Sequence, residues 1–332
     1  MDAQASQRFT VGPLTVAAGE NASGTIQIPA GCDEATTLPV SVVHGAQPGP
    51  VLALIAGNHG YEYTPILALQ RLLPQLDPQQ LFGTVILVHV ANMPSFLRRT
   101  VYYSPVDGHN LNRVYPGKAD GTVSERIAYA ITKEVIERAD YLLDLHCGDG
   151  NESLRPYSYW DVQGGGREVI EKSKQLALAF GFARIVMDKE RPTDAAHSLY
   201  CSTTAITRGK PALTIESGGL GATDNESIAQ IERGVLNVLR HLQMLPGQAQ
   251  MVEQPMFIER SEVLRSAATG IFYPLVERGH TVAKGALLGY VTDFFGQRVS
   301  ELRAPFAGEL LYILGTPPIS KGEPLAMIAQ VL

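Results

Sequence analysis

Val51-Leu52-Ala53-Leu54-Ile55-Ala56-Gly57-Asn58-His59-Gly60-Tyr61-Glu62 is the stretch that decides the reading of this chain. An unbroken apolar run of this kind marks a strand covered on both faces, because a strand with one wet face alternates. The glycines that follow break the run and place His59 and Glu62 at the turn that leaves the strand. A helix is expected over residues 65–73, with Thr64 to cap it, Pro65 at its first position and Pro74 to end it.

The same texture repeats outward from this point. Residues 84–90 read as a second strand, followed by a long Arg- and Asn-rich loop to Gly121. Thr122-Val123-Ser124-Glu125 is a capping box that opens a helix to about Ala139. Residues 141–145 form another buried strand, 167–179 a helix, 183–187 and 211–215 strands, and 225–244 a long amphipathic helix. The first forty residues read as short strands. Strands alternating with helices predict an α/β fold: a mainly parallel or mixed sheet with helices on both faces. In such sheets ligands bind beyond the carboxyl ends of the strands.

After residue 250 the pattern changes to short β-type runs broken by Gly and Pro. Gly270-Ile271-Phe272-Tyr273 with Val282-Ala283-Lys284-Gly285 is echoed by Gly308-Glu309-Leu310-Leu311-Tyr312 with Ile319-Ser320-Lys321-Gly322. Two such units predict a small pseudo-symmetric β barrel or sandwich. The expected domains are residues 1–250 and 251–332. The repeat resembles the hammerhead fold of lipoyl and biotinyl carrier domains. Their modified Lys is missing from the corresponding hairpin tip, Asp293-Phe294-Phe295-Gly296-Gln297-Arg298. A domain that shapes or covers the active site is therefore expected rather than a carrier.

The net charge of −6 argues against a nucleic-acid footprint and gives no attraction to anionic membranes. Cys32, Cys147 and Cys201 have no paired spacing, so neither a disulfide framework nor a Cys-based metal site is expected. Residues 1–7 lack the basic and apolar regions of a secretory leader, and no apolar stretch is long enough to span a bilayer. The expectation is a cytoplasmic protein, with homo-oligomerisation left open.

Chemistry-bearing residues follow three of the apolar runs: His59 and Glu62, His146 in Leu143-Asp144-Leu145-His146-Cys147-Gly148, and Glu216 in Thr214-Ile215-Glu216-Ser217-Gly218-Gly219. Two His and one Glu are a catalytic zinc set that leaves a coordination position open for water, and a further carboxylate is what such a site needs to take a proton. Strand alternation puts Asp144 and His146 on one face and Cys147 on the other. The loop Asp107-Gly108-His109-Asn110-Leu111-Asn112-Arg113-Val114-Tyr115-Pro116-Gly117 offers Arg113 as a bidentate grip for a carboxylate and Asn112 as an added donor. An Arg near the metal, from Arg98 and Arg99 upstream, could stabilise an oxyanion.

Together these motifs resemble the succinylglutamate desuccinylase/aspartoacylase family of the zinc carboxypeptidase-like superfamily, over nearly the whole chain. The resemblance implies one Zn2+ per chain on His59, Glu62 and His146, with Glu216 as general base and then acid. It implies substrate carboxylate binding by Asn112 and Arg113, and an oxyanion Arg placed at Arg99, with Arg98 as the alternative. Aspartoacylases carry a further substrate-side Arg about ten residues before the base, where this chain has Ile206, with Arg208 two residues on. The expected activity is hydrolysis of the amide of an N-acyl amino acid or a related small carboxylate-bearing amide. The rival readings are a zinc carboxypeptidase acting on peptide ends and a catalytically silent binding protein.

Overall fold

The computed structural model describes residues 8–331; the N-terminal segment read for a leader lies outside them. A nine-stranded sheet forms the centre of the molecule. Its middle is parallel. The Gln47–Ala56 strand lies between Phe82–Val88 and Tyr141–Gly148, and Ala212–Gly219 follows Tyr141–Gly148. Antiparallel pairings flank this core: Thr36–His44 and Glu20–Ile28 on one side, Tyr157–Asp161 on the other. Arg184–Asp188 and Met256–Ile258 then complete the sheet in parallel. The sheet is therefore mixed, with a parallel heart.

The run at residues 51–56 is apolar throughout because it feeds two cores. Leu52, Leu54 and Ala56 pack into a cluster with helices Tyr63–Leu72, Arg167–Phe180 and Asn225–His241. Ala53 and Ile55 pack into a second cluster with helices Val123–Glu134 and Cys201–Ile206. Leu143 and Leu145 face the first cluster and Leu142 the second, and Leu213 and Ile215 against Ala212 repeat the division. Truncating Leu54 or Leu143 to Ala would cost about 2–5 kcal/mol.

The predicted elements are present, with informative differences. The first helix begins at Tyr63, so Thr64 lies inside it and donates its hydroxyl to the Ala222 carbonyl instead of capping. Glu62 holds the N-cap position, but its side chain makes no cap bond; one carboxylate oxygen accepts the His59 N–H at 2.9 Å. Engagement with His59 thus displaces ordinary capping chemistry. The capping box at Thr122 and Glu125 is present. The segment read as continuous loop before Gly121 contains a short helix, Met93–Arg98, capped by the Asn92 side chain. The Tyr157–Asp161 strand and the Cys201–Ile206 helix were not anticipated. Adjacent aromatics at Tyr159 and Trp160 break the alternation of the first, and a Ser/Thr-rich sequence hides the apolar period of the second.

From Ser261 onward the chain folds into two antiparallel sheets around Phe272, Leu288, Leu310, Ile313 and Ile328. The internal repeat is reciprocal. The short Thr281–Val282 strand of the first unit pairs with Gly308–Leu314 of the second, and Pro318–Ile319 of the second pairs with Gly270–Pro274 of the first. The Glu152–Leu154 strand joins this β unit by pairing with Gly308–Leu314. The hairpin tip stays in solvent, with Phe294 72% and Phe295 91% exposed. No described helix is long and apolar enough to cross a membrane.

Candidate metal centre

Three neighbouring parallel strands deliver the site at their carboxyl ends. Glu216 and His146 are register partners, as are Thr214 and Asp144, so these side chains share one face about 4.8 Å apart from strand to strand. Their parity is that of Leu142 and Ala212, on the side of the Cys201–Ile206 helix, where Thr214 Oγ1 donates to Ser202 Oγ at 2.9 Å. Cys147 has the opposite parity and is a buried free thiol. Burial holds it protonated, with the Glu62 carboxylate acting in the same direction.

His59, Glu62 and His146 form a tight cluster whose ligand atoms all lie within 4.8 Å of one another. Glu62 Oε1 is 2.9 Å from His59 Nδ1 and 2.6 Å from His146 Nδ1. Each imidazole has an oxygen acceptor at its other nitrogen: Asn110 Oδ1 lies 3.1 Å from His59 Nε2, and Asp144 Oδ1 lies 3.0 Å from His146 Nε2. Those partners favour Nε2–H, which turns both Nδ1 lone pairs inward, the tautomer that a metal requires. Asp144 is fixed in turn by the Asn58 amide at 2.7 Å, and Tyr115 donates its hydroxyl to Asn58 Oδ1 at 3.2 Å.

Two inward lone pairs and a carboxylate oxygen within hydrogen-bond distance repel unless a positive charge lies between them. Burial alone would strip a proton from His146, yet Asp144 and Glu62 outweigh it and hold the imidazole well above its ordinary pKa. His59 is likewise raised, Glu62 outweighing burial. One further oxygen, Asp144 Oδ2, is buried without a hydrogen-bond partner. A positive charge, proton or metal ion, is needed between these groups, and a donor set of two imidazoles and one carboxylate suits Zn2+.

Other carboxylates surround the cluster. Asp149, 1% exposed, accepts the backbone N–H groups of Tyr61 at 3.0 Å and Tyr102 at 2.9 Å. Burial pushes its carboxyl up to about 6. Glu152 accepts the Tyr102 hydroxyl at 2.5 Å and is pushed up to about 7, mainly by burial. Tyr102 meets the His59 ring edge-on at 5.8 Å. Glu216 stands well above the usual carboxylate range. Burial is the main cause; His146 opposes it, and Glu62, Glu152 and Asp144 act with it.

Asn112 is buried, with its amide oxygen engaged and its amide nitrogen beside the His146 ring. Nδ2 lies 3.2 Å from His146 Nε2, and Oδ1 accepts the Cys201 N–H at 2.8 Å. Arg113 is exposed, and one guanidinium nitrogen donates to the Asn112 carbonyl at 2.7 Å. Its guanidinium lies 4.5 Å from the centre of the Tyr200 ring, and no carboxylate pairs with it among the described residues. Arg99 is exposed in the left-handed conformation, φ 53°, where it ends the Met93–Arg98 helix. It lines a cavity of about 400 Å³ with Tyr63, Phe96 and Thr223. Arg98 pairs with Glu34 at 3.1 Å. Ile206 is buried in the second core. Sequence reasoning missed Asn58, Asn110, Tyr102, Asp149 and Glu152, which the fold gathers around the cluster. Asn58 and Asn110 flank motif residues and were the only ones carrying a local signal.

Residues 48–242 match the model of the succinylglutamate desuccinylase/aspartoacylase catalytic domain. The chain is 34% identical over 322 residues to the N-alpha-acetyl-L-2,4-diaminobutyric acid deacetylase of Halomonas elongata, covering 93% of this chain and 91% of that protein. The product-bound ectoine utilization protein EutE (DoeB) of Ruegeria pomeroyi superposes with a TM-score of 0.82 at 28% identity, over 93% of this chain and 95% of that one. A succinylglutamate desuccinylase from a Silicibacter species gives a TM-score of 0.82 at 26% identity, over 94% and 95%. The chain belongs to the succinylglutamate desuccinylase/aspartoacylase family.

Proposed function

We propose that this protein is a zinc-dependent deacylase that hydrolyses the amide of a small N-acyl amino acid. The observation that carries the reading is one connected constellation. A His59–Glu62–His146 set that could hold a metal ion lies beside Glu216 in strand register, and Arg113, with no carboxylate partner among the described residues, is one residue from Asn112, which touches His146. Bound by His59, Glu62 and His146, Zn2+ would supply Lewis acidity, making a water acidic and polarising an acyl carbonyl.

The chain's own groups do the rest. Glu216 accepts a proton from the attacking water and returns it to the leaving amine. Its raised affinity for protons, set by burial among other carboxylates, suits a group that must both take and give one. Arg113 holds the substrate carboxylate by charge-assisted hydrogen bonds, and Asn112 holds Arg113's loop against His146. We assign the oxyanion role to Arg99, because its loop packs against Gly60, between His59 and Glu62: a Cβ at Gly60 would meet the Ser95 and Thr100 carbonyls. The relative from Halomonas elongata makes Nα-acetyl-L-2,4-diaminobutyrate the first substrate to try.

The test is a screen of the metal-loaded protein on N-acetyl, N-succinyl and N-formyl amino acids, with Zn2+, Co2+ and Mn2+ in parallel and short peptides as controls. Amine release from N-acyl amino acids should exceed that from peptides. Preference for peptide ends would favour a carboxypeptidase, and no turnover with any metal would sink the enzyme reading.

A further inference from the structure

Arg191 is only 9% exposed, yet it lies in a loop that no sequence motif singled out. Its Nε is 2.7 Å from Asp188 Oδ2 and 3.7 Å from Asp161 Oδ1, so its charge is met by two carboxylates. Its guanidinium lies 3.8 Å from the centre of the Tyr200 ring and 5.5 Å from that of Tyr159. The Tyr200 ring is the same one that Arg113 approaches at 4.5 Å. Two cations thus share one aromatic ring; one is internally neutralised and the other has no anionic partner among the described residues.

The loops bearing these residues are cross-linked. Tyr115 and Leu199 exchange backbone hydrogen bonds, at 2.8 and 3.3 Å. Asn112 Oδ1 accepts from the Cys201 N–H, directly after Tyr200. Asp161, which faces Arg191, also accepts the Thr203 hydroxyl at 2.7 Å, in the helix that Tyr200 precedes. A displacement of Arg191 would therefore move Tyr200 and, with it, the support under Arg113.

We propose that Arg191 and Tyr200 are positioning residues that hold the Arg113 guanidinium for the substrate carboxylate, Arg191 fixing the ring and Tyr200 presenting a flat cation-binding face. This rests on the deacylase reading and deepens it by naming what sets selectivity for a free carboxylate. The charge balance supports the role. Without its neutralising carboxylates, Arg191 would repel Arg113. Without Arg191, Asp161 and Asp188 would be left as anions near the ring, drawing Arg113 inward and repelling the substrate.

The experiment compares N-acetyl amino acids with their C-terminal carboxamides in the zinc-loaded enzyme, for wild type, Arg191→Lys, Tyr200→Leu, Tyr200→Phe and Arg113→Ala. Arg191→Lys keeps the charge beside Asp161 and protects the fold while losing the planar stack. Arg191→Lys and Tyr200→Leu should raise KM for the carboxylate substrates about tenfold, as expected for weakened charge-assisted hydrogen bonds, with kcat and bound zinc little changed. Tyr200→Phe should behave as wild type, whereas Arg191→Lys and Tyr200→Leu should shrink the preference for carboxylate over carboxamide. An Arg191→Lys enzyme with unchanged KM, alongside an Arg113→Ala enzyme with raised KM, overturns this inference alone. A wild type inactive on every N-acyl amino acid overturns the deacylase reading and this inference with it.

Discussion

The floor and the wall of this site are built differently. The floor, His59, Glu62, His146 and Glu216, stands at or just past the ends of parallel strands, and Glu62 and His146 are almost wholly buried. The wall, Arg113, Tyr200 and Arg191, stands on loops that hold one another by an isolated bridge and a shared ring. Strands fix the floor to the precision of the sheet, which suits atoms that must share one ion. Loops give the wall its shape through contacts between distant segments, and segments of that kind vary most readily with substrate.

Breaking the floor should have the largest effect. Chelation should abolish turnover and lower the melting temperature, because an ion bound to the folded chain alone stabilises it and its loss leaves the buried carboxylates uncompensated. Activity and melting measured before and after Zn2+ return check this; unchanged activity in demonstrably metal-free protein would break the assignment. Next, Glu216→Gln should keep stoichiometric zinc by elemental analysis while kcat falls about 10²–10⁴-fold, the range for loss of a general acid–base group.

Arg99 tests whether the wall extends to the helix that ends there. Arg99→Gly relieves a left-handed residue that costs roughly 1–2 kcal/mol, so the melting temperature should rise. If Arg99 carries the oxyanion role, kcat should fall about 10²–10³-fold. A stabilised variant with wild-type kcat moves the role elsewhere. Asp144→Asn weakens the acceptor at His146 Nε2 and should reduce zinc affinity about 10–100-fold in competition with a chelating dye. The smallest effect belongs to the wall proper. Arg113→Ala should raise KM about tenfold, roughly one charge-assisted contact, with zinc content unchanged; a change in zinc affinity would show that floor and wall are not separable.

Much of the fold was legible because burial on two faces leaves a plain trace. Residues 51–56, 141–145 and 211–215 are apolar at nearly every position since each strand feeds both cores. His59, His146 and Glu216 stand out as polar residues at the ends of such runs. The helix expected from Pro65 with Thr64 as its cap begins instead at Tyr63, because the position that should carry a cap carries Glu62, whose carboxylate is engaged with His59 and His146. Local propensity cannot anticipate a residue conscripted by a distant partner.

By itself the sequence determined which residues line the ends of the parallel strands, since periodicity of two and unbroken apolar runs are local properties. It also offered Arg113, through its motif, as the candidate grip for a substrate carboxylate. Only the tertiary structure decided what surrounds them. Asp144 became the acceptor for His146, Asp149 and Glu152 gathered beside His59, and Arg191 came to share a ring with Arg113 across 78 positions of chain (191 − 113). The physical reason is range: strand patterning is written within a few residues, whereas charge balance and ring stacking depend on segments that meet only when the chain is folded.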